Sequence, residues 1–272
     1  MSSKDPKRKR PRVGLVIPAL NEEQALPLVL EDLPGGLVDI LVVVDNGSED
    51  GTAAVARRAG ALVVREERRG YGSACLAGLA LLLGEEQAAN GAESFEALVD
   101  GDWIVFLDAD RSDYPEDLAG LLAPLARGEA DLVIGSRVLG GASLRALLPQ
   151  AWFGNRLACF LMAVLFGARH TDLGPFRAIE VGALRHLCMG DRGFGWTIEM
   201  QLKARVARLS VVEVPVRYRA RIGTSKITGT LLGSLGASWK ILGWILGWRL
   251  WLWVNPRRRI PRFRESSRGA PR

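Results

Sequence analysis

Val105-Phe-Leu-Asp-Ala-Asp110 is the stretch on which the reading of this chain turns. The apolar run Trp103 to Leu107 predicts a buried strand, and two carboxylates two residues apart, Asp108 and Asp110, end it. In an open α/β sheet the ligand crevice lies beyond the carboxyl ends of the strands, so both acids would be delivered there. Two unpaired carboxylates in one crevice are costly. A divalent cation shared with a phosphate-bearing ligand resolves this, because Mg²⁺ takes one or two carboxylates and completes its shell with phosphate oxygens and water. The triplet alone also fits a solvated Asp-rich turn. Asp100-Gly-Asp102 precedes the strand and is expected at the opposite edge of the sheet.

Strands and helices alternate on both sides of this stretch. Val13–Ile17 predicts a strand, and Asn21 is placed to cap a helix with Glu22 and Glu23 in its first turn, stopped by Pro34-Gly-Gly36. Ile40–Val44 reads as a second strand followed by Asp45-Asn-Gly-Ser48, and Asp50-Gly-Thr52 opens another helix. Ala61–Val64 reads as a third strand. Gly70 and Gly72 lead into an apolar helix through Leu83, and residues 84–94 read as a surface loop. A helix from Pro115 to about Ala126 and a strand over 131–135 complete the pattern. Strands spaced by helices in this way predict an α/β fold, a mostly parallel sheet covered by helices on both faces. In such a sheet Pro18 to Glu22, Asp45 to Ser48, and Asp108 to Asp110 share one edge. A nucleotide fits there, with Asn21, Glu22 and Asp45 at base and ribose. A Rossmann dehydrogenase is disfavoured, because the first turn, Pro18-Ala-Leu-Asn21, has no glycine.

The 272 residues allow one large domain with an appendage, and an apolar share of 48% is ample for its core. Cys75, Cys159 and Cys188 have no metal-ligand spacing and predict free thiols in a reducing compartment. No apolar stretch follows the basic N-terminus, so no signal peptide is expected and the main domain should be cytoplasmic. The net charge of +6 is uneven: residues 1–12 carry six Lys/Arg and one Asp, and residues 249–272 carry eight Arg and one Glu. Basic ends on an acidic body suit an anionic surface. Nucleic acid is the rival partner and is disfavoured, since no recognition module or aromatic-interleaved basic groove is present.

Four ordered blocks resemble the family 2 glycosyltransferases of GT-A fold: Pro18-Ala-Leu-Asn-Glu-Glu23, Val44-Asp-Asn-Gly-Ser48 with Asp50-Gly-Thr52, Arg69-Gly-Tyr-Gly72 with Ala74, and Phe106-Leu-Asp-Ala-Asp110. The resemblance is closest to the dolichyl or polyprenyl phosphate sugar synthases. Ile134-Gly-Ser-Arg137, Thr171-Asp-Leu-Gly-Pro-Phe-Arg177, Glu199 and Arg221-Ile-Gly-Thr-Ser-Lys226 extend it over about residues 13–226. It implies that Pro18, Ala19, Asn21, Glu22, Asp45, Gly47, Ser48 and Gly70 hold a nucleotide sugar, and that Asp108 and Asp110 hold Mg²⁺ or Mn²⁺ against its diphosphate. Arg221, Ser225 and Lys226 resemble a late segment that closes over the donor. Arg137, with Arg145 on the following loop, would meet an acceptor phosphate. Asp110, Asp172, Arg137 and Arg177 form the expected catalytic group. Ser112 stands where mannosyltransferases of this kind often have Gln, which removes a third side chain from the metal shell. Glu199 is either a first-turn helix acid or a neighbour of the acceptor pocket, and His170 and His186 are expected to be ordinary.

Asp172 separates two chemistries. A sugar hydroxyl needs a general base within hydrogen-bond reach, and Asp172 would serve. A phosphate monoester is already anionic and needs cationic positioning, and Asp172 would then organise Arg177 or the metal-side loop. The C-terminal part favours the phosphate. Five of the eight tryptophans fall within residues 239–253, and Arg257-Arg-Arg259 follow, the composition a membrane interface selects. Lys240 in the middle of Leu231–Trp248 disfavours a spanning helix, so an interfacial or re-entrant segment is expected. The expected organisation is a basic tail (1–12), a catalytic domain (13–226), an apolar Trp-rich helical segment (227–256) and a basic tail (257–272). The expected enzyme is inverting and metal-dependent, works at the cytoplasmic face of a membrane (the inner membrane in a bacterium), and moves glucose or mannose from a UDP- or GDP-linked donor to polyprenyl phosphate. A hydroxyl acceptor with Asp172 as base, and a non-catalytic membrane adaptor of the same fold, are the alternatives. Self-association stays open.

Overall fold

The computed structural model describes residues 10–85, 95–142, 149–223 and 243–250, together with Val254 and Phe263. Seven strands form one sheet in the order β3-β2-β1-β4-β6-β5-β7. They are β1 (Val13–Ala19), β2 (Ile40–Asp45), β3 (Leu62–Arg65), β4 (Trp103–Phe106), β5 (Leu132–Ser136), β6 (Arg177–Glu180) and β7 (Val211–Pro215). Every pairing is parallel except those of β6, which runs antiparallel to both β4 and β5. The sheet is therefore mostly parallel, as the alternation of elements implied. Because β6 is reversed, its start lies at the same edge as the ends of β4 and β5.

Period-2 side chains divide the core into two layers. Leu15 and Ile17 of β1, Val43 of β2 and Val105 of β4 face one side, against α1 (Leu26–Glu31), α2 (Thr52–Arg58) and α4 (Leu118–Ala126). Val16, Val42, Val44, Ile104 and Phe106 face the other, against α3 (Tyr71–Leu82), α6 (Val181–Leu187) and α7 (Trp196–Ala207). Both faces of the strands are buried, which is why they read as continuous apolar runs. A third cluster joins α5 (Pro149–Phe166), α7 and the C-terminal helix (243–250) through Met162, Ile198, Leu202 and Ile245.

Local differences from expectation have local causes. The first helix starts at Leu26, with Pro in its first turn, and Asn21 does not cap it. Asn21 instead takes a left-handed conformation, φ 51°, and its Oδ1 accepts the Glu49 N–H. A 3₁₀ turn, Pro115–Asp117, precedes α4. Asp102 sits at the far edge as anticipated, accepting the N–H groups of Arg12 and Val99, while Asp100 pairs with Arg185. The three cysteines are free thiols, Cys75 and Cys159 buried and Cys188 exposed. Among the described residues no helix is long and apolar enough to cross a membrane.

Candidate active site

The carboxyl ends of β1, β2 and β4 open onto a cleft of about 230 Å³. Pro18, Ala19, Glu22, Gly70, Asp108, Asp110 and Arg221 line it, so seven of the residues expected to bind donor or metal are brought together. Asn21, Asp45 and Ser48 are outside the lining and lock its turns, and Gly47 takes a positive φ of 82° in the turn after β2. Asp45 accepts the Ser48 N–H at 2.8 Å, and the Ser48 hydroxyl accepts the Asn21 N–H at 2.9 Å. Ser225, Lys226 and Arg145 lie outside the described residues.

Asn46, Arg69, Tyr71 and Phe194 also line the cleft, and no role had been given to them. Asn46 ties the β2 turn to the β3 turn: it donates to the carbonyls of Glu66 and Arg68 and accepts the Gly70 N–H. Its position beside Asp45 was the available signal.

The acids are set under tension. Asp108 Oδ1 and the Tyr71 hydroxyl are buried and near one another, yet neither closes a hydrogen bond of normal geometry. Burial, and then the nearby Asp110 carboxylate, push the Asp108 carboxyl up to about 7. Asp110 Oδ1 accepts the Ser112 N–H, and its Oδ2 lies 3.2 Å from Arg221 Nη1. Arg221 Nη2 reaches Glu22 Oε1, also at 3.2 Å. A strap following β7 brings this arginine in: Arg219 N–H donates to the Ser112 carbonyl and Ile222 N–H to the Asp110 carbonyl. Asp113, not foreseen, is buried beneath the strap with both carboxylate oxygens unpartnered, and burial holds its carboxyl well above the usual range. Hard carboxylate oxygens at a strand end, one of them orphaned, suit a hard divalent cation. Among the described residues no third His, Cys, Asp or Glu joins Asp108 and Asp110 as a ligand.

Beside the cleft, Arg137 at the end of β5 is clamped by Asp172. Its main-chain N–H, Nε and Nη2 all donate to the Asp172 carboxylate at 2.7–2.8 Å, and its guanidinium lies over the Tyr218 ring at 5.1 Å. Asp172 therefore organises Arg137, and the expectation that it would organise Arg177 is corrected. Arg177 is fully buried at the start of β6, donating to the carbonyls of Leu173, Gly174 and Thr197. Burial lowers it to about 10. It braces the Asp172 loop from below and has no surface to offer a substrate, so its place in the catalytic group is also corrected. Glu199, in the first turn of α7, accepts the N–H groups of Gly190 and Asp191 and pairs with Lys203.

The family model described as glycosyl transferase family 2 matches residues 15–187, a span that contains both acids and all of the cleft lining except Phe194 and Arg221. The chain belongs to glycosyltransferase family 2. This family 2 glycosyltransferase is 37% identical over 239 residues to an uncharacterised glycosyltransferase of Mycobacterium tuberculosis, covering 85% of the chain and 97% of the relative. It is 30% identical over 267 residues to the polyprenol monophosphomannose synthase of Mycolicibacterium smegmatis, covering 92% and 93%. Its fold matches glucosyl-3-phosphoglycerate synthase from M. tuberculosis in complex with Mn²⁺, UDP-glucose and phosphoglyceric acid, with a TM-score of 0.66, 26% identity, and 87% and 79% of the two chains covered. The chain is accordingly a hexosyltransferase of GT-A architecture, and the adaptor alternative falls away.

Proposed function

We propose that this enzyme transfers a hexose, with inversion, from a UDP- or GDP-linked donor to a polyprenyl phosphate at the cytoplasmic face of a membrane. The observation that carries the reading is the Arg137–Asp172 clamp. Asp172 is 1% exposed and accepts three N–H groups from Arg137, so it has no open face from which to take a proton from a sugar hydroxyl. What this side of the cleft presents is a pre-oriented guanidinium, the group suited to an acceptor that is already anionic. The hydroxyl-acceptor reading with Asp172 as base is disfavoured for the same reason.

In this reading Asp108 and Asp110 hold Mg²⁺ or Mn²⁺, as the metal-bound neighbour supports, and the ion supplies charge neutralisation to the departing nucleoside diphosphate. Glu22, Asn46 and the Gly70 turn seat the nucleotide. Arg221, shared between Glu22 and Asp110, is placed to turn toward the donor diphosphate, with Ser225 and Lys226 following it. Arg137, with Arg145, orients the acceptor phosphate, whose oxygen attacks the anomeric carbon as the bond from that carbon to the diphosphate oxygen breaks.

The lipid arm of the proposal is supported by the relative that makes polyprenol monophosphomannose and by an uncovered apolar face. Phe153, Phe160 and Val164 on α5 are each more than 60% exposed, and Leu246, Leu250 and Val254 follow at a spacing of four near the C-terminus. Exposed Arg156, Arg169 and Arg249 lie among them, the mixture that settles at anionic headgroups. The second reading, a small phosphorylated acceptor, is favoured by the likeness to glucosyl-3-phosphoglycerate synthase. A screen of radiolabelled UDP- and GDP-hexoses against polyprenyl phosphate and against phosphoglyceric acid, with Mn²⁺, decides between them. Label in the lipid phase is expected; label only in the aqueous phosphoglycerate product would overturn the lipid reading.

A further inference from the structure

The loop between α6 and α7 touches the donor cleft on one side and the C-terminal helix on the other. On the cleft side, Gly72 N–H donates to the Gly193 carbonyl and Ser73 N–H to the Arg192 carbonyl, both at 3.0 Å. The approach is so close that a Cβ on Gly70 or Gly72 would fall about 2 Å from the carbonyl oxygens of Arg192 and Asp191. Both glycines are therefore required for this loop to pass the start of α3. From the same loop Phe194 joins Gly70 and Tyr71 in the lining of the cleft.

On the far side, one buried carboxylate gathers the loop and hands it to the helix. Asp191 Oδ1 accepts the N–H groups of Gly193 and Gly195, at 2.7 and 3.0 Å, and Asp191 Oδ2 accepts the indole N–H of Trp244 at 2.7 Å. The indole lies against Gly195 so closely that a Cβ there would be 2.3 Å from Trp244 Nε1. Ile245, the next residue, is fully buried in the cluster formed with α5 and α7, so the indole is presented from an anchored helix.

We propose that Asp191 is a positioning residue for the nucleotide-sugar donor, and that its bond to Trp244 makes the shape of the donor wall depend on the docking of the C-terminal helix. The inference rests on the donor reading of the cleft. A carboxylate that held only the loop would need only its two main-chain donors. The third, from a residue 53 positions later, makes the Phe194 wall answer to the segment richest in tryptophan.

Two substitutions cut the link from opposite sides. Trp244→Phe keeps an aromatic ring and removes the N–H. Asp191→Asn retains one carbonyl oxygen for Gly193 and Gly195 and turns an NH₂ against the indole N–H. Each is expected to weaken Mn²⁺-dependent binding of UDP or GDP about three- to tenfold by calorimetry and to raise donor KM, with acceptor KM unchanged. The double variant should be no worse than either single one, because the same bond is lost. Hydrogen exchange gives a readout that needs no nucleotide: the peptide containing Gly72 and Ser73 should lose protection in Trp244→Phe. Unchanged exchange there, or additive losses of donor affinity, or wild-type affinity in both folded variants, would overturn the proposal. Absence of any nucleoside diphosphate binding by the wild-type protein would instead overturn the donor reading, and the exchange measurement would still decide whether the helix and the wall are linked.

Discussion

Asp172 meets Arg137 with both of its carboxylate oxygens, Oδ1 to Nη2 at 2.7 Å and Oδ2 to Nε at 2.8 Å, and Oδ2 also takes the arginine's own main-chain N–H. The pair joins the end of β5 to the loop that precedes β6. Fixing a guanidinium in this way lowers the cost of ordering it when an anion arrives. Arg137→Ala is expected to lower kcat/KM for the acceptor roughly ten- to a hundredfold, the size of a lost charge-assisted contact of about 1.5–3 kcal/mol. Affinity for the nucleoside diphosphate should change less than twofold. Steady-state kinetics varied in each substrate separately check this; a matching loss of donor affinity would move Arg137 to the other substrate.

Asp172→Asn should reproduce the Arg137→Ala phenotype, because the carboxylate acts through the arginine. The double variant should then be no worse than the single ones. If Asp172→Asn abolishes turnover while Arg137→Ala only slows it, the carboxylate is a base after all.

Removal of divalent metal with EDTA should abolish transfer and nucleoside diphosphate binding together. Asp110→Asn should do the same with an unchanged circular dichroism spectrum, since Asp110 lies in the cleft lining at the strand end and the sheet core does not depend on its charge. Full activity in excess EDTA would remove the metal from the reading.

His170 gives a pH dependence of stability. Burial, reinforced by Arg177 and Arg205, lowers its pKa from 6.5 to about 4. Between those values the unfolded chain binds a proton that the folded chain does not, so stability rises with pH across this window and is lost as pH falls from about 6.5 toward 4. The melting temperature should drop over that range, and His170→Gln should flatten the drop relative to the wild type. An identical profile in the variant would show that other groups control the acid side.

The apolar face predicts vesicle binding. Phe160 and Leu250 are 62% and 60% exposed, so Phe160→Asp and Leu250→Asp should leave the melting temperature nearly unchanged. Co-sedimentation with phosphatidylglycerol vesicles should fall severalfold in each, and further in 0.5 M salt as the basic tails are screened. Retained binding in the Phe160→Asp, Leu250→Asp double variant would mean that this face is turned away from the bilayer.

Much of the cleft lining was legible in the sequence, for physical reasons. A short apolar run ending in Asp108 and Asp110 suits a buried strand that delivers both acids to its carboxyl end, and β4 does so. Glu22 and Gly70 could be placed by the same logic. Asn21 was misread because a cap and a left-handed turn draw on the same residue type, and only the partner at Glu49 distinguishes them. Arg177 was expected in the site because the Thr171–Arg177 block resembles the family's, whereas the carbonyls that absorb it come from folding. Asp113 sits in a solvated-looking Arg-Ser-Asp-Tyr run, and its burial depends on a strap that arrives a hundred residues later. The direction of β6 could not be read from four residues. It is set by simultaneous pairing with β4 and with β5, from which it is separated by about 70 and 40 residues of chain.

That reversed strand gives the enzyme a seam. On one side lie β3, β2, β1 and β4, which carry Pro18, Glu22, Asp108 and Asp110; on the other lie β5 and β7, which carry Arg137 and lead to Arg221. Four facing pairs, from Trp103 with Glu180 to Phe106 with Arg177, join the first set to β6. A chimaera that preserves this register can exchange everything beyond it for the corresponding half of a relative. Such a graft would replace Arg137 together with Phe194 and Arg221 of the cleft lining while keeping Pro18, Glu22, Asp108 and Asp110, so it would show how much of the choice of each substrate rests on each half.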